Sequence, residues 1–194
     1  MSPTEAATGK AQVRIHIGGV CAAAEPTVIK TLLGSCVAVC LFDPLAQIGG
    51  MNHFLLPRPA NGREDRIDTA RFGVHAMDCL IGALQKLGAD RRRLKAKVFG
   101  GGDVLRFGGN VASVAHRNVA FIDEFLSTER VAVVARDVGG ELARELQFHT
   151  DTGTVYLKRL RDVGRRRLGT RELRHLRRLE QTPPAFGDVT LFEP

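Results

Sequence analysis

The chain has 194 residues, of which 44% are hydrophobic and 25% charged, the proportions of an ordinary globular protein with one domain or one domain and an appendage. No apolar run approaches the ~20 residues that cross a bilayer, and charged residues interrupt the start of the chain, which argues against a signal peptide. We therefore predict a cytoplasmic protein without membrane insertion, whose four cysteines are free thiols. None of them forms a Cys-x-x-Cys pair, so no structural zinc is expected.

The net charge of +7 is concentrated near the end of the chain. Between Lys158 and Glu180 ten Lys or Arg residues stand against three acidic ones, while the remainder is balanced. We predict a flexible N-terminus over 1–10, a domain over 11–157 and a basic appendage over 158–194. The appendage is interpreted as solvated surface, as basic segments usually are, and binding to nucleic acid or a membrane surface is the weaker alternative. No aromatic residues interleave with the arginines, which further argues against binding of a single strand.

The remaining pattern predicts roughly seven short strands and two helices. The helices are expected over 69–87 and 116–128, where apolar residues recur at steps of three and four. The strands are expected, in order, at 13–17, the two arms of a hairpin within 36–56, 94–99, a buried strand at 131–135, and the two arms of a second hairpin over 145–157, with a further extended piece at 28–33 that leads into the first hairpin. Hairpins at both ends predict an α+β fold with mixed, largely antiparallel sheets.

The first hairpin brings a cysteine and a histidine together. If its loop is Asp43 to Ala46, or only Pro44-Leu45, Phe42 opposes Gln47, and by the same register Cys36 opposes His53. Directly opposed side chains share a face, with Cβ atoms roughly 4.5–5.5 Å apart, within reach of a thiol–imidazole hydrogen bond.

Taken singly, both residues have ordinary interpretations, a buried apolar thiol and a structural histidine. Together they favour nucleophilic chemistry, because an imidazole can take the thiol proton and return it to a leaving group. Cys40 lies on the same face as Cys36 but opposes Gly49 in this register, and we interpret it as core. The glycine runs at 100–102, 108–109 and 139–140 fit neither a P-loop nor a dinucleotide fingerprint and are interpreted as tight loops that line a site or receive a partner.

Several segments resemble the CheD family of chemoreceptor glutamine deamidases. They are, in order, Leu33-Gly34-Ser35-Cys36-Val37-Ala38-Val39-Cys40-Leu41, Gly50-Met51-Asn52-His53-Phe54-Leu55-Leu56-Pro57, Lys95-Ala96-Lys97-Val98-Phe99-Gly100-Gly101, Arg117-Asn118-Val119, Asp137-Val138-Gly139-Gly140 and Thr150-Asp151-Thr152-Gly153. The resemblance covers about residues 12–157. It implies a four-layer α/β/β/α sandwich similar to the catalytic domain of cytotoxic necrotizing factor, and a cysteine-dependent hydrolase that converts receptor glutamines to glutamates without a cofactor.

Carried over residue by residue, the resemblance implies Cys36 as nucleophile, His53 as base and a threonine as third member. The family's threonine is expected six residues before the cysteine, where this chain has Lys30, and Thr31 lies one residue nearer. Either a one-residue difference lets Thr31 orient His53, or the third role is weak here.

The implied partners are the helical cytoplasmic domain of a chemoreceptor, as substrate, and a CheC-type phosphatase. A substrate of that kind predicts a shallow, open site rimmed by the glycine loops. The alternative function is a non-catalytic chemotaxis regulatory module that binds receptor or a CheC-type phosphatase.

Overall fold

The computed structural model describes residues 9–56, 66–104 and 114–160, together with position 174. The basic appendage predicted over 158–194 therefore lies outside the described residues beyond residue 160, apart from the exposed Arg174. The strands and helices are, in chain order, β1 (Ala11–Arg14), β2 (Val20–Ala23), β3 (Thr27–Leu33), β4 (Val37–Asp43), β5 (Ile48–Phe54), α1 (Arg66–Lys86), β6 (Lys95–Gly100), α2 (Val114–Thr128), β7 (Ala132–Val138), β8 (Ala143–His149) and β9 (Val155–Leu160), with a 3₁₀ turn at Arg91–Arg93 before β6.

The strands form two mixed sheets in which antiparallel pairing dominates. One sheet has the order β1-β3-β8-β9 and the other β2-β5-β4-β6-β7. Only the β1–β3 and β6–β7 pairs are parallel among the described strands. The α+β class, the largely antiparallel sheets, the two main helices and the closing hairpin of β8 and β9 are thus confirmed.

Two apolar cores separate the layers. Residues alternate along β4: Val37, Val39 and Leu41 pack with the helices, while Ala38 and Cys40 pack against the four-stranded sheet. Both described helices contact the five-stranded sheet. The described residues therefore show three of the four predicted layers, one of helices and two of sheet. The fourth layer and the likeness to cytotoxic necrotizing factor stay predictions.

The register predicted for the first hairpin is wrong by two residues. Observed pairs run from Val37 with Phe54 to Asp43 with Ile48, so His53 opposes Ala38. The reason is that the turn comprises residues 44–47, so that Asp43 remains in the strand and Gln47, which was predicted to pair with Phe42, belongs to the turn. Because the error is an even number of residues, every side chain keeps its predicted face.

Two further expectations about strands were wrong. The segment 131–135 was predicted to be a buried strand, but β7 is the outer strand of its sheet, and Val133 and Val134 are 42% and 50% exposed. Strand β2 was not predicted. It is only four residues long, and its sequence Val-Cys-Ala-Ala contains no polar residue, so it lacks the alternation by which a strand is recognised.

The turn of the first hairpin is fastened by the carboxylate of Asp43, which is fully buried. It accepts hydrogen bonds from the backbone N–H groups of Leu45, Ala46 and Asp90, and the guanidinium of Arg93 lies 2.7 Å away. These contacts, that of Arg93 foremost, hold the pKa of the Asp43 carboxyl well below its usual range. The turn is thereby tied to the segment that follows α1.

We expect the substitution Asp43→Asn to destabilise the protein in a pH-dependent way. Since the folded-state pKa is lowered, the stabilisation is fully present above the ordinary carboxyl pKa of about 3.9 and is lost as the pH falls towards the lowered value. In urea unfolding, Asp43→Asn should therefore be less stable than the unsubstituted protein at neutral pH. The difference should shrink from about pH 5 downwards.

The exposed Asp78 on α1 supplies the matched control. Asp78→Asn should leave the free energy of unfolding nearly unchanged across the same pH series. A difference between the unsubstituted protein and Asp43→Asn that stays constant down to acid pH would contradict the role assigned to the carboxylate.

Candidate active site

Strand β3 directs Thr31 into the space between the two sheets. Alternate residues of a strand face opposite sides, and Ile29 and Leu33 belong to the core between the sheets. Thr31 lies on that same face and is fully buried, whereas Lys30 lies on the other face and is partly exposed. The strand geometry therefore places Thr31, and not Lys30, next to the site.

Cys36 lies where the chain passes from one sheet to the other. Residues 34–36 connect β3 of the four-stranded sheet to β4 of the five-stranded sheet. The Cys36 side chain packs in the core between the sheets and has no exposed surface. Cys36 therefore precedes β4, whereas the predicted register placed it within the first arm of the hairpin, directly opposite His53.

His53 on β5 lies between Cys36 and Thr31 and contacts both. Its Nε2 is 2.8 Å from Cys36 Sγ, and its Nδ1 is 2.8 Å from Thr31 Oγ1. Since Thr31 belongs to one sheet and His53 to the other, the three side chains join the sheets by a polar chain through an apolar core. The structure brings together all three residues that the sequence analysis selected.

The partners of Thr31 fix which ring nitrogen of His53 carries the proton. Thr31 Oγ1 is also 3.0 Å from the carbonyl oxygen of Ile15, which can only accept. A hydroxyl has one hydrogen, so Thr31 donates to Ile15 and accepts from His53 Nδ1–H. In the neutral ring Nε2 then has a lone pair directed at Cys36, as a proton acceptor for the thiol requires.

The predicted open site is not what the structure shows. Cys36 is fully buried and His53 is 2% exposed. The glycine loop after β6 also lies differently from a rim: the N–H of Gly101 donates to the carbonyl of Cys36, and that of Gly102 to the carbonyl of Gly34, both at 2.7 Å. These glycines therefore stabilise the bend at Cys36 through backbone hydrogen bonds and do not form the rim of an open site.

The tight packing explains why glycine stands at the end of β6. Gly100 has φ +111°, and a Cβ there would lie 2.2 Å from the Cys36 carbonyl oxygen. A side chain at this position would displace the bend that carries the thiol.

The other cysteines lack such an environment. Cys40 is buried opposite Met51, and burial raises the pKa of its thiol far above the usual range, so it is an inert core residue as predicted. Burial also raises the pKa of the half-buried Cys21 thiol. Cys79 is exposed on α1 with His75 Nε2 3.5 Å away, one helical turn apart on the surface.

One polar residue beside the site had no role assigned from the sequence. Asn118 on α2 is fully buried, and its side chain contacts the backbone of Ser35 and Leu56. Its position within the segment Arg117-Asn118-Val119 was a signal, but the helical pattern alone placed only apolar residues inward.

Two features are absent from the described residues. No group of three or more His, Cys, Asp or Glu residues there is arranged to hold a metal ion. Within the same residues, neither helix has the length and apolar character to span a bilayer.

Fold and site together define an α+β sandwich protein with a thiol–imidazole–hydroxyl chain between its sheets. The family model described as "CheD chemotactic sensory transduction" matches residues 55–159. This chain belongs to the CheD family. Because the matched stretch begins after His53, it contains none of the three site residues. Their arrangement is therefore an observation of the structure that is independent of this match.

Similar proteins cover most of the chain. A protein of Shewanella oneidensis named "Probable chemoreceptor glutamine deamidase CheD 1" is 42% identical over 184 residues, which are 94% of this chain and 88% of that protein. A protein of the same name from Anaeromyxobacter dehalogenans is 46% identical over 78% of this chain and 86% of its own. "Probable chemoreceptor glutamine deamidase CheD 2" of Chromobacterium violaceum is 46% identical over 78% of this chain and 75% of its own.

The proton position on His53 can be measured directly by ¹⁵N NMR of the imidazole. In Cys36→Ala, at alkaline pH where the ring carries one proton, we expect that proton on Nδ1, because Thr31 accepts it. Adding Thr31→Val removes the acceptor, and the proton should redistribute towards Nε2. Lys30→Ala, on the opposite face of the same strand, should leave the Nδ1–H form unchanged. A ring protonated on Nε2 with Thr31 intact would contradict the assignment.

Proposed function

We propose that this protein is a cysteine-dependent protein-glutamine deamidase that converts glutamine side chains of chemoreceptors to glutamate. The observation that carries the proposal is the chain of hydrogen bonds from Cys36 Sγ through His53 to Thr31. The names of the similar proteins supply the substrate class, a chemoreceptor. The catalytic roles below follow from the geometry and elementary chemistry.

The first half of the reaction forms a thioester. His53 Nε2 takes the thiol proton, and the thiolate of Cys36 attacks the side-chain amide carbon of the glutamine. The resulting imidazolium is held by Thr31, which keeps Nδ1–H bonded throughout. When the tetrahedral intermediate collapses, the C–N bond breaks and Nε2–H delivers its proton to the nitrogen, which leaves as ammonia.

The second half restores the enzyme. His53, again neutral, takes a proton from a water molecule, and the hydroxide attacks the thioester carbonyl. The C–S bond breaks, the thiolate regains its proton from His53, and the side chain leaves as a carboxylic acid, which loses its proton to water at neutral pH and becomes glutamate. The balance is one amide and one water converted to one carboxylic acid and one ammonia, with no external oxidant, reductant or cofactor.

The burial of the site sets a condition on how substrate binds. Cys36 has no exposed surface, so a glutamine side chain reaches Sγ only after neighbouring groups shift. Exclusion of water also strengthens the electrostatic interactions among the three residues.

The partner and the location follow from the same proposal. A CheC-type phosphatase as partner stays a prediction of the resemblance. A cytoplasmic location fits a substrate site on the helical cytoplasmic domain of a receptor.

The test is mass spectrometry of a receptor cytoplasmic fragment incubated with the full chain. Each conversion of Gln to Glu adds about one dalton. We expect the mass to rise with the unsubstituted protein, to stay constant with Cys36→Ala, and to rise at least ~100-fold more slowly with His53→Ala because general acid–base catalysis is lost. A constant receptor mass, under conditions where the two proteins bind, would exclude the enzyme and leave a non-catalytic binding module.

Substitutions of two adjacent residues on β3 test whether Thr31 contributes to the reaction. Thr31→Val keeps the shape of the side chain but removes the hydroxyl that orients His53, and should slow deamidation by about 10- to 100-fold. Lys30→Ala changes the opposite face of the strand and should keep the original rate. Equal rates for the two variants would remove Thr31 from the mechanism.

A further inference from the structure

Three consecutive carbonyl groups at the Cys36 bend are each held by a hydrogen bond from a different source. The carbonyls of Gly34 and Cys36 accept from backbone N–H groups of the loop after β6, those of Gly102 and Gly101. The carbonyl between them, that of Ser35, accepts from the side chain of Asn118 at 2.8 Å. The middle contact is therefore the one of the three that a side-chain substitution can remove.

Asn118 joins the two segments that carry the reacting pair. Its Nδ2 donates to the carbonyl of Ser35, next to Cys36, and its Oδ1 accepts from the N–H of Leu56, three residues after His53, also at 2.8 Å. A backbone carbonyl can only accept and a backbone N–H can only donate, so these partners determine the orientation of the amide. With no exposed surface, Asn118 holds both segments without competition from water.

The contact to Ser35 sets the direction of a second group. In a trans peptide the C=O of one residue and the N–H of the next point in opposite directions within one rigid plane. The described chain has no cis peptide bond. Because Asn118 holds the Ser35 carbonyl on the side of α2, the N–H of Cys36 points away from the helix.

We propose that Asn118 is a positioning residue, which fixes the Ser35–Cys36 peptide so that the Cys36 N–H donates to the oxygen of the tetrahedral intermediate. This inference rests on the proposed deamidation and deepens it. An N–H donor aimed where negative charge develops stabilises the transition state only if it is held in place before the reaction. Asn118 does not touch the substrate; it acts through the peptide that it holds.

Two reactions of Cys36 Sγ distinguish a positioning role of Asn118 from a merely structural role. Deamidation of a receptor fragment passes through an oxyanion, whereas alkylation of Cys36 by iodoacetamide is a direct displacement without one. Both rates are measured on the full chain, with the modified Cys36 peptide followed by mass spectrometry so that Cys79 and Cys21 do not contribute. The informative quantity is the ratio of the deamidation rate to the alkylation rate.

Two substitutions remove the amide in different ways. Asn118→Leu keeps the approximate shape of the side chain, and Asn118→Ala leaves room for water to satisfy Ser35 and Leu56. In both we expect the ratio to fall by about 100-fold, the cost of a donor displaced by ~1 Å. Thr150→Val is the matched control, because Thr150 is also fully buried and its hydroxyl joins the backbone of Thr27 and Glu25 away from the site. Its stability should fall while its ratio stays that of the unsubstituted protein.

The possible outcomes distinguish a failure of the positioning role of Asn118 from a failure of the proposed deamidation. If the unsubstituted protein leaves the receptor mass constant, the proposed function fails and this inference with it. If that protein is active but the ratio is unchanged in the Asn118 variants, or neither variant folds, Asn118 serves stability alone and only the inference is overturned.

Discussion

The site depends on a single crossing between two sheets. Residues 34–36 leave the four-stranded sheet after β3 and enter the five-stranded sheet at β4, and the imidazole of His53 lies at that crossing with one sheet's threonine on one side and the thiol on the other. Polar side chains buried in an apolar core destabilise a fold unless their hydrogen bonds are satisfied. Here the series of hydrogen bonds ends at the backbone carbonyl of Ile15, which accepts the hydrogen bond of the Thr31 hydroxyl. The relative position of the two sheets therefore also sets the relative position of Thr31, His53 and Cys36.

The pairing of Cys36 with His53 could be predicted from the sequence because strand geometry has a period of two. The predicted register was displaced by two residues, yet both side chains kept their faces, and a diagonal neighbour is still within reach. An error of one residue would have separated them. What the pattern could not supply is the position of the turn, because that depends on Asp43, whose carboxylate binds groups before and after α1.

The rest of the site needed tertiary information. Residue spacing left open whether Thr31 orients His53 or the third role is weak, and only the inward face of β3 places Thr31 at hydrogen-bond distance from His53. Asn118 is more than 80 residues from Ser35 along the chain, and no local pattern relates a polar residue on a helix to a bend in a distant segment. The edge position of β7 was missed for the same reason: an apolar run predicts a strand, but its neighbours in the sheet decide whether it is buried.

Cys36 and Cys40 show how far environment decides the chemistry of one residue type. Both are buried in the same core between the sheets, and both face the four-stranded sheet. Burial alone disfavours a thiolate, as the raised pKa of Cys40 shows. Cys36 differs in having an imidazole at hydrogen-bond distance and a bend whose backbone carbonyls are held from two sides. A buried thiol becomes useful for acyl transfer when a neighbour can take its proton and return it within the same closed space. The fold meets that requirement at the crossing and nowhere along the strand that follows it.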